Sequence, residues 1–272
     1  MVAAERLGCP HVSVVVLAAG GMIERAGVDA PLAVLRRRLG VGAAVGRPTR
    51  YLSPVMPSFR DPAFPLPADT LLARPQVLAE PVAADEPAAG RVRAWLAGRP
   101  ALPTIYFTLG TIFHQESGDL FRRVLAGLGT MPANVLVTVG REIDPAELSR
   151  PPENALVERF VPQQAVLGRC DLVVSHGGSG TVIAALASGV PVVLLPLGAD
   201  QPANAQRCEA LGVGRMLDPV TSSAEQVAAA VGAILGAPSY RRAALRLRAE
   251  ALALPGPAEL ADQLAALPRR AA

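Results

Sequence analysis

From Pro103 onward, short apolar runs rich in β-branched residues alternate with segments of helical spacing, a pattern few folds accept. Strand-like runs fall at 104–109, 135–139, 155–160, 171–175, 191–196 and 214–217. Helical segments fall between or after them, at about 118–128, 180–188, 202–211, 223–235 and 239–253. In the first of these, Leu120, Phe121, Val124, Leu125 and Leu128 form one apolar stripe. Ser222-Ser223-Ala224-Glu225 reads as a capping box opening a helix, with Gly236 and Pro238 at its end. Strands alternating with helices predict right-handed βαβ units, and hence an α/β fold with a doubly wound parallel sheet.

The chain before Pro103 is less regular. Val12 to Leu17 is a continuous β-branched run, which predicts a strand buried on both faces. Pro31 to Leu39 has a helical pattern, and Gly40 ends it. Pro54, Pro57, Pro62, Pro65, Pro67 and Pro75 exclude long regular elements between them. Ala79 to Gly90 is small, acidic and proline-containing, as a linker is, and Arg91 to Ala97 suits a short helix. The expected organisation is a first unit over 1–85, a linker over 86–102, the main α/β domain over 103–254, and a C-terminal helix or tail over 255–272.

Charge and cysteine usage exclude several classes. The formal net charge is only +3, all 26 basic residues are Arg, and the single basic run, Arg36 to Arg38, has no aromatic residue interleaved. That argues against a nucleic-acid surface. Cys9, Cys170 and Cys208 are odd in number, far apart and without zinc-like spacing. They fit a reducing, cytoplasmic setting with no structural metal. Val12 to Ala19 mimics the apolar core of an export signal, but Glu5 and Gly8-Cys9-Pro10-His11 argue against that. No apolar run is long enough to span a bilayer.

In a doubly wound sheet, ligands bind beyond the carboxyl ends of the strands. Those ends carry Gly110-Thr111, Gly140-Arg141, Val161-Pro162-Gln163, His176-Gly177-Gly178-Ser179-Gly180-Thr181 and Gly198-Ala199-Asp200-Gln201. The segment 176–181 joins a strand to a helix head. Glycines there let a ligand approach the backbone, and the helix end supplies orphan N–H groups and partial positive charge, which suits a phosphate. The same residues also suit a plain strand–helix turn. The segment lacks the third glycine of a dehydrogenase fingerprint, and a chain without Lys has no Walker loop. Asp200 and Gln201 offer a carboxylate and an amide side by side, able to bind vicinal hydroxyls. The alternative for Asp200 is to cap the next helix.

Phe160-Val161-Pro162-Gln163, then 171–181, then Gly189-Val190-Pro191 and Asp200-Gln201, resemble in order and spacing the donor-binding signature of family 1 glycosyltransferases of the GT-B superfamily, which includes macrolide and plant secondary-metabolite transferases. The resemblance runs from about Thr104 to Leu254. It implies one complete Rossmann-like domain preceded by part of a second. It places Phe160, Val161 and Gln163 near a nucleobase. It places Thr111, His176, Gly178, Ser179, Gly180 and Thr181 on a diphosphate, and Asp200 and Gln201 on hexose hydroxyls. Plant relatives often carry a ribose-gripping Glu three residues beyond Thr181. Here Ala184 stands there, which suits a dTDP-sugar better than a UDP-sugar.

The resemblance implies inverting transfer of a hexose or deoxyhexose from a nucleotide sugar to a hydroxyl of a small natural product, as in antibiotic biosynthesis. No cofactor is expected, and the chain has no Asp-x-Asp pair for a metal–diphosphate bridge. The family's catalytic base, an early His of the acceptor domain, matches no position here. His11 and His114 read as a structural and a loop His. Residues 1–85 correspond only to the last part of an acceptor domain. The expectation is therefore a truncated reading frame or a partner chain that completes the fold, with a non-catalytic sugar-binding fragment as the alternative.

Overall fold

The computed structural model describes residues 2–7, 9–19, 26–40, 48–78, 86–110, 119–140, 145 and 151–268. The chain opens with α1 (Val2–Arg6), β1 (Val12–Val14), α2 (Ala26–Arg38), β2 (Arg50–Ser53) and β3 (Thr70–Leu72). These strands form a three-stranded parallel sheet in the order β1-β2-β3. Next comes α3 (Pro87–Ala97), lying within the segment expected as a linker. Its Arg91 holds Glu158 through two short hydrogen bonds, which anchors α3 to the second sheet.

The second unit runs β4 (Thr104–Thr108), α4 (Leu120–Gly129), β5 (Asn134–Thr138), β6 (Ala155–Glu158), α5 (Gln163–Val166), β7 (Leu172–Ser175), α6 (Ser179–Ala187), β8 (Val192–Leu194), α7 (Gln201–Ala210) and β9 (Gly214–Met216). It closes with α8 (Ala224–Leu235), α9 (Pro238–Ala253) and α10 (Pro257–Ala265). All six strands are parallel, in the order β6-β5-β4-β7-β8-β9. Alternate residues feed two cores. Ile105, Phe107, Val135 and Val174 pack on one face with Val124 and Val231 of α4 and α8. Tyr106, Leu136 and Val173 pack on the other with Val182 and Leu247 of α6 and α9. The α4–α8 contact is close enough that a Cβ on Gly127 would lie 2.3 Å from the Ala224 carbonyl oxygen.

Two expectations change. The strand at Val12 is only three residues long and lies at the edge of its sheet, with Val14 53% and Val16 58% exposed. Among the described residues only β2 pairs with it, and a continuous apolar run is not a two-face burial signal at such an edge. The capping box is shifted by one residue. Ser223 Oγ accepts from the Gln226 amide and the Gln226 side chain accepts from the Ser223 amide, because Gln226 completes the box as well as Glu225 would.

The two sheets are bolted together through the proline-rich segment. Val55, Met56 and Phe59 are buried in the same core as α6 and α9. Arg207 of α7 donates to the carbonyls of Ser58 (2.7 Å) and Phe59 (3.0 Å), and the Ser58 amide donates to Glu250 of α9 (2.8 Å). Arg74 donates to the Leu252 and Leu254 carbonyls at the end of α9.

Candidate functional site

After β4 the chain adds β5 and β6 on one side, then returns to place β7 on the other. The carboxyl ends of β4 and β7 therefore flank the point where strand order reverses, which is where a doubly wound sheet binds ligands. A cavity of about 840 Å³ opens there. Its walls come from both sheets: Val16, Leu17, Pro54 and Gln76 on one side, and the loops after β4, β6, β7 and β8 on the other.

His176 follows β7 directly and is buried at 8% exposure. Its ring fills the space between two glycines. A Cβ on Gly110 would sit 2.6 Å from its Cε1, and one on Gly178 would sit 2.6 Å from its Nε2. Gly110 also has φ +76°, a conformation that side chains disfavour. Burial holds the imidazole pKa below its usual value, and the Asp200 carboxylate partly offsets this. The ring is therefore neutral near pH 7 and presents one N–H.

Beside it, α6 starts at Gly178 with no side-chain cap. The amides of Gly180 and Thr181 are in the first turn and have no partner within the helix. Among the described residues, no atom beyond its chain neighbours and its own helix backbone lies within 4 Å of where a Gly180 Cβ would stand. The helix head thus faces the cavity with donors and little bulk. Thr181 Oγ1 accepts from Gln163 Nε2 at 3.2 Å, tying the loop after β6 to that head. Phe160 is 37% exposed and lines the cavity together with Gln163, while the Val161 side chain is turned into the core. Thr111 and His114 lie outside the described residues.

Asp200 occupies the cap position of α7 but accepts no bond from that helix's backbone amides. Its Oδ2 instead accepts from Ser179 Oγ (2.5 Å), Asn204 Nδ2 (2.9 Å) and the Ser179 amide (3.3 Å). Gln201 is buried, and its Oε1 accepts from the amides of Leu197 (2.7 Å) and Gly198 (3.2 Å). Both residues line the cavity. Ala199, between Gly198 and Asp200, has φ +54°. Asn204 is a member of this cluster that the sequence reading passed over. Its spacing of four from Asp200 on one helix was the available signal.

Two facing parallel α/β sheets, with a ligand-sized cleft between them and a helix head opening into it, are the architecture of the GT-B glycosyltransferases. Spinosyn rhamnosyltransferase complexed with thymidine diphosphate superposes with a TM-score of 0.78 at 26% identity, covering 97% of this chain and 69% of that one. Residues 122–267, more than half of the chain, match the erythromycin biosynthesis protein CIII-like C-terminal domain family, and the chain belongs to that family. Among named relatives, demethyllactenocin mycarosyltransferase of Streptomyces fradiae is 34% identical over 173 residues, covering 64% of this chain and 37% of the relative. Tylactone mycaminosyltransferase of the same organism is 36% identical over 176 residues, covering 62% and 38%. The chain thus spans about two-fifths of the length of these relatives. No helix among the described residues is long and apolar enough to cross a membrane.

Proposed function

We propose that the chain binds a nucleoside diphosphate sugar in the 840 Å³ cleft and transfers its hexose, with inversion and without a metal ion, to a hydroxyl of a small natural product. The observation that carries this reading is the His176 ring, wedged between Gly110 and Gly178 beside the head of α6, where Gly178 supplies no cap and Asp200 takes only the Ser179 amide. An imidazole N–H and helix-end amides together suit a diphosphate. Phe160 and Gln163 line the end proposed for the base, and Asp200 and Gln201 the end proposed for the sugar.

In the reaction, the acceptor oxygen attacks the anomeric carbon as the bond to the diphosphate oxygen breaks. Negative charge grows on the departing diphosphate. Donors already fixed at His176 and α6 meet that charge without rearrangement, which is the economical form of transition-state stabilisation. The base that takes the acceptor proton is assigned to no residue of this chain. We further propose a dTDP-sugar donor. Ala184 lines the cleft and has no carboxylate for a 2′-hydroxyl. The thymidine diphosphate bound by the spinosyn rhamnosyltransferase supports this choice. Three free cysteines, two of them buried, support a cytoplasmic setting.

Calorimetric titration with dTDP, UDP and their hexose conjugates, followed by a transfer assay with a promiscuous phenolic acceptor, tests the proposal. Tighter binding of the thymidine nucleotides with glycoside formation is expected. Binding without transfer would instead identify a sugar-binding module that works with a partner. No binding of either nucleotide would overturn the reading.

A further inference from the structure

Asn204 is fully buried, yet every polar atom of its side chain is used. The two protons of its Nδ2 serve three acceptors, the Gly177 carbonyl (2.9 Å), Asp200 Oδ2 (2.9 Å) and, as the longest and shared contact, Ser179 Oγ (3.1 Å). Its Oδ1 accepts from the Ala19 amide (3.1 Å). This pattern fixes the amide's orientation. A flipped side chain would set its oxygen against a carbonyl and a carboxylate, and its NH₂ against an amide.

Ser179 is equally committed. Its hydroxyl gives its one proton to Asp200 Oδ2 and accepts from the Ala18 amide (2.9 Å) and from Asn204. One donor and two acceptor sites are the full capacity of a hydroxyl. The Ser179 side chain is thus satisfied inside the protein, and its link to a ligand runs through Asp200. All hydrogen bonds to Asp200 from described residues fall on Oδ2. None falls on Oδ1.

We propose that Asn204, with Ser179, is a positioning residue that turns the Asp200 carboxylate so that Oδ1 receives a hydroxyl of the donor hexose. The loop after β1 is the fixed end of this device. Arg60 holds its Leu17 and Ala18 carbonyls, while its Ala18 and Ala19 amides reach Ser179 and Asn204. The sugar end of the site is therefore set jointly by both sheets. This inference rests on the nucleotide-sugar reading above.

The test compares dTDP with a dTDP-hexose by calorimetry on the full chain. Asn204→Ala is expected to leave dTDP affinity within about twofold and to weaken dTDP-hexose about tenfold, as for a misdirected hydrogen bond to a charged group. Asn204→Ser, which keeps a polar group at the position but cannot reach Asp200 Oδ2, is expected to weaken the conjugate in the same selective way, which keeps the proposal testable should Asn204→Ala fail to fold. In an Asp200→Ala background, Asn204→Ala is expected to add no further selective loss. Equal weakening of both ligands, or no loss for the conjugate, overturns the proposal while the donor reading stands. Failure of the parent chain to bind either ligand overturns both.

Discussion

The imidazole of His176 occupies the space that a side chain on Gly110 would need, with Cε1 2.6 Å from the position of that absent Cβ. The two residues are far apart in sequence, but adjacent parallel strands end beside each other and deliver them to one point. Gly110→Ala therefore has two effects. It forces an L side chain to φ +76°, at a strain of about 1–2 kcal/mol, and it displaces the ring. The expected result is a Tm lower by a few degrees and dTDP affinity lower by about tenfold, read by thermal melts and calorimetry.

His176→Ala removes the ring and leaves the glycines. One charge-assisted hydrogen bond contributes about 1.5–3 kcal/mol, so turnover is expected to fall by roughly 10–150-fold in a transfer assay. Unchanged turnover would show that the leaving diphosphate does not rely on this imidazole.

The same ring makes stability depend on pH. Burial holds its folded pKa below the unfolded value of 6.5. Between the two values the unfolded chain binds a proton that the folded chain does not. Stability is therefore full above the unfolded pKa and is lost as pH falls through the window below it. Thermal melts from about pH 7 to about pH 5 should show a steeper decline for the parent than for His176→Gln, which has no group titrating there.

At Ala184 a carboxylate can be added at a cleft position that carries none. Ala184→Glu is expected to raise the ratio of UDP to dTDP affinity by about tenfold, the effect of one new hydrogen bond from the ribose 2′-hydroxyl to a charged acceptor. Parallel titrations with the two nucleotides check it. An unchanged ratio would place the ribose away from this position.

The sheet of the second unit was legible because its four central strands, β5, β4, β7 and β8, are buried throughout. The runs 105–107, 135–137, 172–174 and 192–194 are apolar, and no other element type fits runs so short between helices. The strands at Arg50 and Thr70 escaped notice because each is three or four residues long and carries no alternation. Within the site, the helix head at Gly178 and the cavity position of Asp200 follow from local sequence. The bonds of Ala18 to Ser179 and of Ala19 to Asn204 do not, since they join loops of two different sheets. Similarly, only strand order reveals that His176 meets Gly110.

Ala199 holds a left-handed backbone although it is not glycine. Bending an alanine this way is unfavourable, so the surrounding loop must enforce the bend through the Gln201 clasp on Leu197 and Gly198. The corner beside Asp200 is consequently held by the protein's own hydrogen bonds. For the nucleotide-sugar donor proposed above, a rim cast in advance would discriminate pyranose epimers by rigid fit, and changing that selectivity by engineering would call for reshaping the corner itself rather than exchanging the side chains around it.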